Sequence, residues 1–262
     1  MKIPFYKYQG TGNDFVLVDN RTGIFDRERR DIVARLCHRR FGIGADGFIL
    51  LQNKEGYDFE MVYYNADGNE STMCGNGGRC IVQFAFDLGV INDNTHFLAI
   101  DGGHHAQVKD GLVHLHMIDV KNVNDLGENA YFLNTGSPHY VKQVEKLETF
   151  PIFEMGKNIR YSEAFAPGGT NVNFMEMQGD ILFVRTYERG VEDETYSCGT
   201  GVTAAAITAV KRGASNPVSI KTLGGNLQVS FVQLDENNYS NIYLIGPAKR
   251  VFEGQIDINF NV

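Results

Sequence analysis

One short pattern occurs twice and narrows what this chain can fold into. Cys74-Gly75-Asn76-Gly77 and Cys198-Gly199-Thr200-Gly201 each set a cysteine at the mouth of a glycine-rich turn, and each runs into a segment that is apolar nearly all round. The first segment, 78–88, carries Cys80, Ile81, Val82, Phe84, Ala85, Phe86 and Leu88; the second, 202–210, is rich in Ala. A helix that is apolar on every side is a buried helix. Gly89 and Gly213 stand where such helices stop, and Lys211 and Arg212 suit the negative end of the second one's dipole. The chain is therefore expected to hold two buried helices, each entered through a thiol.

Strand-like segments surround both helices. They are expected at 3–8, 14–19, 47–52, 58–64, 97–100, 106–109 and 112–118. Further ones are expected at 131–142 (broken by Ser137-Pro138-His139), 171–177, 181–187, 218–221, 226–234, 240–245 and 254–260. Helices are expected over 27–40, capped by Asp26, and over 151–160. Ile32, Val33, Leu36 and Cys37 share one face of the former, so Cys37 reads as core, as does Cys80 within its buried helix.

Landmarks recur in the same order. Gly12-Asn13-Asp14-Phe15 is similar to 170–174, Asp58–Val62 to Asp180–Val184, the two thiol turns to each other, and Asp101-Gly102-Gly103 to Leu223-Gly224-Gly225. Cys74 precedes Gly102 by 28 residues and Cys198 precedes Gly224 by 26. This implies a duplicated β-rich unit wrapped around one helix, hence an α/β (α+β) fold of two pseudo-symmetric lobes. The expected ranges are 1–118 plus about 249–262 for the first lobe and about 119–248 for the second, with the active site in the cleft between them.

Composition excludes several classes. A net charge of −8 over 262 residues disfavours nucleic acid as partner, and the one basic cluster, 27–40, has acidic neighbours. No run approaches the ~18 apolar residues of a membrane span, and the first eight residues hold no apolar signal core. The four cysteines form neither a CxxC pair nor a zinc spacing, and no carboxylate–histidine spacing supports a metal. A cytoplasmic protein with reduced thiols is expected.

Two thiols at two helix starts make sense as a proton-transfer pair. A helix N-terminus offers unpaired N–H groups and the positive end of the dipole, so it binds carboxylates and stabilises thiolates. With two such ends facing one substrate, one sulfur removes an α-proton from one face and the other returns a proton on the opposite face. The rival reading of the pair is a redox disulfide.

At these residues the chain resembles the diaminopimelate epimerase family over almost its full length. The resemblance rests on Gly12–Phe15, Asn65-Ala66-Asp67-Gly68, the two thiol turns, Gly136–His139 and Glu188-Arg189-Gly190. It implies interconversion of LL- and meso-diaminopimelate without pyridoxal phosphate or metal, a homodimer, and a last strand that returns to the first lobe. It implies Cys74 and Cys198 as the proton-transfer thiols, with His139 and Glu188 supporting them. Gly75, Asn76, Gly199 and Thr200 would hold the reacting carboxylate. Asn13, Asn65, Asn171, Glu188 and Arg189 would bind the other amino and carboxylate groups. Two positions depart from the family's usual residues: Gly47 stands where Gln is frequent, and Ser137 where Asn is. A proline or hydroxyproline racemase of the same fold is the same-class alternative, and a non-catalytic ligand-binding protein the other.

Overall fold

The computed structural model describes residues 2–259. Met1 and 260–262 lie outside them, and so do the last residue of the expected 254–260 strand and the outer ends of the first lobe's two expected segments. The chain divides into two compact units, Met1–Leu115 with Pro247–Val262, and His116–Gly246.

In the first unit β1 (Lys2–Gly10) and β2 (Asn13–Asp19) form an antiparallel pair. Next to β2, in parallel, lies β3 (Gly47–Gln52), followed by antiparallel β4 (Glu60–Asn65). A parallel step leads to β5 (Asn94–Ala99), and antiparallel steps to β6 (Gly102–Lys109) and β7 (Leu112–His116). The apolar side chains of this ladder pack on α1 (Arg30–Cys37) and on α2 (Gly75–Asp87). Along α2, Cys80, Ile81, Val82 and Phe84 have no exposed surface at all. Each such apolar side chain stabilises the fold by roughly 1.5–3 kcal/mol.

The second unit opens with β8 (Asn124–Gly127) against β9 (Ala130–Asn134). Its ladder then repeats that of the first unit step for step. β9 pairs antiparallel with β10 (Pro138–Gln143), β10 parallel with β11 (Asn171–Gln178), and β11 antiparallel with β12 (Ile181–Glu188). β12 also carries the short β13 (Asp193–Thr195) and runs parallel to β14 (Val218–Thr222), which continues antiparallel into β15 (Gly225–Gln233) and β16 (Tyr239–Gly246). The helix α3 (Ile152–Arg160) packs on β11 and β12, and the buried α4 (Gly199–Lys211) on β10, β11, β12, β14 and β15. Finally β17 (Lys249–Asp257) pairs antiparallel with β1, at the other end of the sequence.

The shared ladder corrects one likeness drawn from sequence. Phe15 stands opposite Gly47 between β2 and β3, and His139 opposite Asn171 between β10 and β11. Topology thus matches β2 to β10 and β3 to β11, so Asn13 corresponds to Ser137 and not to Asn171. Cys198 lies 124 residues after Cys74, and the same offset carries Phe15 to His139 and Gly47 to Asn171. The similarity of Gly12–Phe15 to 170–174 is a coincidence of strand-entry residues, whereas the hydrogen-bond ladder defines the frame.

Other boundaries moved for local reasons. The expected 27–40 helix is only α1, because Asp26 closes a turn ahead of it: its carboxylate accepts from the Glu28 N–H at 3.0 Å and its carbonyl from the Arg29 N–H at 3.1 Å. At the other end, the Leu36 carbonyl accepts from the N–H groups of Ile43 and Gly44, which turns the chain back. The 131–142 segment is a hairpin, β9 and β10, with His139 inside the second strand and not in a break. Both thiol helices begin three residues earlier than expected, at Gly75 and Gly199, which makes Cys74 and Cys198 their N-cap residues.

Candidate active site

Each thiol caps a buried helix. The backbone at Cys74 (φ −92°, ψ 133°) and at Cys198 (φ −112°, ψ 113°) is extended, and the next residue is already helical. The Cys74 carbonyl accepts the first helical bond from Gly78 at 2.6 Å, and the Cys198 carbonyl from Val202 at 2.9 Å. The N–H groups of Gly75, Asn76, Gly199 and Thr200 therefore belong to the first turn, which helix geometry leaves without partners inside the helix. Neither first turn contains an acidic residue to compete for them. Cys74 is half-buried and Cys198 is 7% exposed. The other two cysteines are core, and burial pushes the thiols of Cys37 and Cys80 up to about 12.

Around Cys74 the first unit gathers Asn13 and Asn76. The Cys74 Sγ lies 3.8 Å from the Asn13 Oδ1, which also accepts from the Asn76 Nδ2 at 3.3 Å. The Asn13 Nδ2 donates to Asp46 at 2.7 Å. Beside it, burial would raise Asp14, but Arg39 and Lys7 outweigh that and hold its carboxyl at about 2. Asn65, at the end of β4, is exposed, and its Oδ1 accepts from the Tyr63 hydroxyl at 3.0 Å.

The departure at Gly47 has a steric cause. A Cβ there would stand 2.6 Å from the Tyr63 ring and 2.9 Å from the Tyr64 carbonyl, so the Tyr63 side chain occupies the space a longer residue would need.

Around Cys198 the second unit gathers Thr200, His139, Asn173, Ser137 and Asn171. The Thr200 Oγ1 lies 3.5 Å from the Cys198 Sγ and 2.9 Å from the His139 Nε2. His139 is fully buried, and burial, helped by the charge of Arg189, lowers its pKa to about 3. It is a neutral imidazole at physiological pH. Its Nδ1 faces the Asn173 Nδ2 at 3.0 Å. Asn171 spans the turn: its Nδ2 donates to the Ser137 Oγ and the Pro138 carbonyl, and its Oδ1 accepts from the Arg189 N–H at 2.9 Å. Glu188, one residue before, accepts from the Thr195 hydroxyl at 2.9 Å.

The residues singled out from sequence thus fall into two sets. Cys74, Gly75, Asn76, Asn13 and Asn65 lie in the first unit. Cys198, Gly199, Thr200, His139, Asn171, Glu188 and Arg189 lie in the second. Sequence reading missed Arg79, Asp46, Tyr63 and Asn173. The 124-residue offset would have exposed one of them, because it pairs Asn173 with the apolar Ile49. Among the described residues, no group of three or more His, Cys, Asp or Glu could hold a metal ion.

The profile of the diaminopimelate epimerase family matches residues 5–114 and 131–251. The chain belongs to the diaminopimelate epimerase family. A diaminopimelate epimerase of Flavobacterium psychrophilum is 52% identical over 258 residues, covering 97% of this chain and 100% of the relative. One from Chlorobaculum tepidum is 43% identical over 260 residues, covering 95% and 99%. Solved structures more distant in sequence share the fold of this diaminopimelate epimerase family member. A PhzF-family phenazine biosynthesis protein of Bacillus anthracis superposes with a TM-score of 0.78 at 14% identity, covering 98% of this chain and 99% of that one. A probable proline racemase of Agrobacterium radiobacter K84 gives 0.66 at 14% identity, covering 99% and 94%.

Proposed function

We propose that this family member interconverts LL- and meso-2,6-diaminopimelate by transferring a proton at one α-carbon between two sulfurs, Cys74 and Cys198. The observation that carries the reading is the repeat itself: each unit presents one thiol as the N-cap of one buried helix, with acid-free first turns behind it.

In the reaction one sulfur, as thiolate, takes the α-proton and becomes a thiol. The electron pair left on carbon spreads into the adjoining carboxylate. The N–H groups of Gly75, Asn76, Gly199 and Thr200 stabilise that added charge, since they are fixed before the charge develops. The other sulfur, as thiol, gives its proton to the opposite face and becomes the thiolate. Atoms and charge balance, and the configuration inverts. General acid–base steps of this kind typically contribute ~10²–10⁴-fold each. The substrate's distal amino and carboxylate groups fall to Asn13, Asn65, Asn171, Glu188 and Arg189, with the guanidinium matching a carboxylate's geometry. His139, neutral, acts by holding Thr200 and not by moving protons itself.

The same reading places the enzyme in the cytoplasm, acting as a homodimer without pyridoxal phosphate, and supplying lysine and cell-wall precursors. Among the described residues no helix is long and apolar enough to cross a membrane.

Incubation with LL-diaminopimelate in deuterated water tests the reaction. We expect meso product carrying α-deuterium, and a loss of at least ~10³-fold in Cys74→Ala and in Cys198→Ala. Full turnover in either variant would remove the two-thiol mechanism. Exchange with proline or hydroxyproline and none with diaminopimelate would move the substrate to the racemase alternative.

A further inference from the structure

Arg79 is the largest fully buried side chain among the described residues, and nothing in the reaction above uses it. Its Nη2 donates to the Asn76 Oδ1 at 3.1 Å and the Thr11 Oγ1 at 3.0 Å, and its Nη1 to the Gly75 carbonyl at 3.4 Å. Its Nε has no hydrogen-bond partner, so the guanidinium is held among neutral groups. The donor and acceptor inventory then fixes everything downstream.

Guanidinium only donates, so the Asn76 amide must turn its oxygen to Arg79 and its nitrogen away. That nitrogen donates to the Asn13 Oδ1 at 3.3 Å. The Asn13 nitrogen donates in turn to Asp46, which is paired with Arg39 and only accepts. A pure donor at one end and a pure acceptor at the other leave neither amide free to flip. The atom facing the Cys74 Sγ is therefore an oxygen, at 3.8 Å, and an acceptor favours S–H over S⁻.

The second unit builds the opposite arrangement. The Asn173 Nδ2 donates to the Tyr140 carbonyl at 3.0 Å, and its Oδ1 accepts from the Thr186 hydroxyl at 2.9 Å, so its orientation is also fixed. The same nitrogen faces the His139 Nδ1 at 3.0 Å, which must accept, so the neutral ring carries its proton on Nε2. That N–H is shared between the Thr200 Oγ1, at 2.9 Å, and the Ser137 Oγ, at 3.0 Å, and Ser137, which accepts from the Asn171 Nδ2, can turn its own hydrogen to the Thr200 Oγ1 at 3.4 Å. With donors arriving at its oxygen, the Thr200 hydroxyl turns its own hydrogen to the Cys198 Sγ at 3.5 Å. A donor favours S⁻.

We propose that these two relays, held in opposite senses by Asp46 with Arg79 and by Asn173, assign the resting proton: Cys74 rests as the thiol and Cys198 as the thiolate. Asp46 and Asn173 are positioning residues that act through Asn13 and through His139–Thr200, and Arg79 fixes Asn76 in the matching sense. Other charges face both sites. Near Cys74 they are Arg79, whose positive charge favours the thiolate and so opposes the relay, Asp14, bound to Lys7 and Arg39, Asp46 itself, and Asp101, which accepts from the Met73 N–H and pairs with His104. On the end of β12 beside His139 they are Glu188 and Arg189. The apolar counterparts support the asymmetry, because Phe15 and Ile49 occupy the first-unit places of His139 and Asn173.

Alkylation by iodoacetamide across pH, with each cysteine followed by peptide mass spectrometry in the full-length protein, reads the assignment. In the wild type, Cys198 should reach its half-maximal rate at a pH at least about one unit below Cys74. Asn13→Leu removes the acceptor that faces Cys74 and keeps every charge; it should move Cys74 to lower pH. Asn173→Leu should free the other imidazole tautomer and move Cys198 to higher pH. Cys74 ionising first, or profiles unmoved by Asn13→Leu and Asn173→Leu, would overturn the proposal, and the wild-type order alone decides if a variant does not fold. The inference rests on both thiols being working groups, but alkylation needs no turnover. The expected order in a protein that fails to epimerise would keep the relays and remove the function.

Discussion

Two helices of equal length, each capped by a cysteine and each sealed in a ladder of the same strand order, sit on different floors. Under α2 the equivalent positions are Phe15 and Ile49, and under α4 they are His139 and Asn173. Gly77 and Gly201 register the difference. A Cβ at Gly77 would meet Ile49, Met61 and Phe15 at 3.4–3.5 Å, ordinary contact, whereas one at Gly201 would stand 2.3 Å from the Asn173 Oδ1. Duplication supplies two thiols with matched geometry. The floors beneath the two helices differ in kind, apolar under α2 and polar under α4.

The largest test of this contrast is acid. Burial lowers His139 to about 3, well below the ~6.5 of an unfolded histidine. The stability this group contributes is fully present above pH ~6.5 and is lost progressively as pH falls toward 3, because the unfolded chain then binds a proton that the folded one refuses. By pH ~3 the loss should be roughly 4 kcal/mol. His139→Phe copies Phe15 into the second unit and should be less stable at pH 7, since it strands Asn173, yet flatter with pH. Urea unfolding at a series of pH values compares the two proteins. Equal slopes would mean that His139 is not the buried neutral group.

The two glycines give the next effect. Gly201→Ala forces its new methyl into Asn173, whose three hydrogen bonds leave it no other place, so a cost of roughly 2–3 kcal/mol is expected. Gly77→Ala should cost under ~1 kcal/mol, since the neighbours are flexible aliphatic or aromatic edges at contact distance. Thermal unfolding of both variants measures the difference. Similar losses would mean that the floors are equally tight and that the polar floor is not what holds α4.

The duplicated thiol turns and the apolar helices behind them were readable in the sequence, because burial leaves a continuous apolar run and glycine marks a close approach. The helix starts were not, since Gly75-Asn76-Gly77-Gly78 has low intrinsic helix propensity and becomes helical only through the packing of α2 on β1 and β2. The frame of the repeat was misread at Asn13 because two strand entries look alike, while the ladder that sets the frame is a long-range property. Arg79 escaped notice for a related reason. An arginine within an apolar helix reads as a surface residue until the structure shows it without exposed surface. The relays are the least readable part, because they depend on which end of each amide faces which neighbour.

The smallest test concerns the third equivalent pair, Gly47 and Asn171. Asn171 ties the Ser137–Pro138 turn to the start of the Glu188–Arg189 corner, while at Gly47 the same work has no side chain and the Tyr63 ring fills the space. Writing Asn into the first unit by Gly47→Asn should destabilise by roughly 2 kcal/mol, from the overlap with the Tyr63 ring and the Tyr64 carbonyl. If the ring is the main obstacle, adding Tyr63→Ala should recover about 1 kcal/mol beyond the sum of the single changes, a coupling that a double-mutant cycle resolves. Full additivity would place the obstacle at the Tyr64 carbonyl, which no side-chain change relieves. In that case the backbone of β4, and not the tyrosine, keeps the first unit from acquiring the second unit's asparagine.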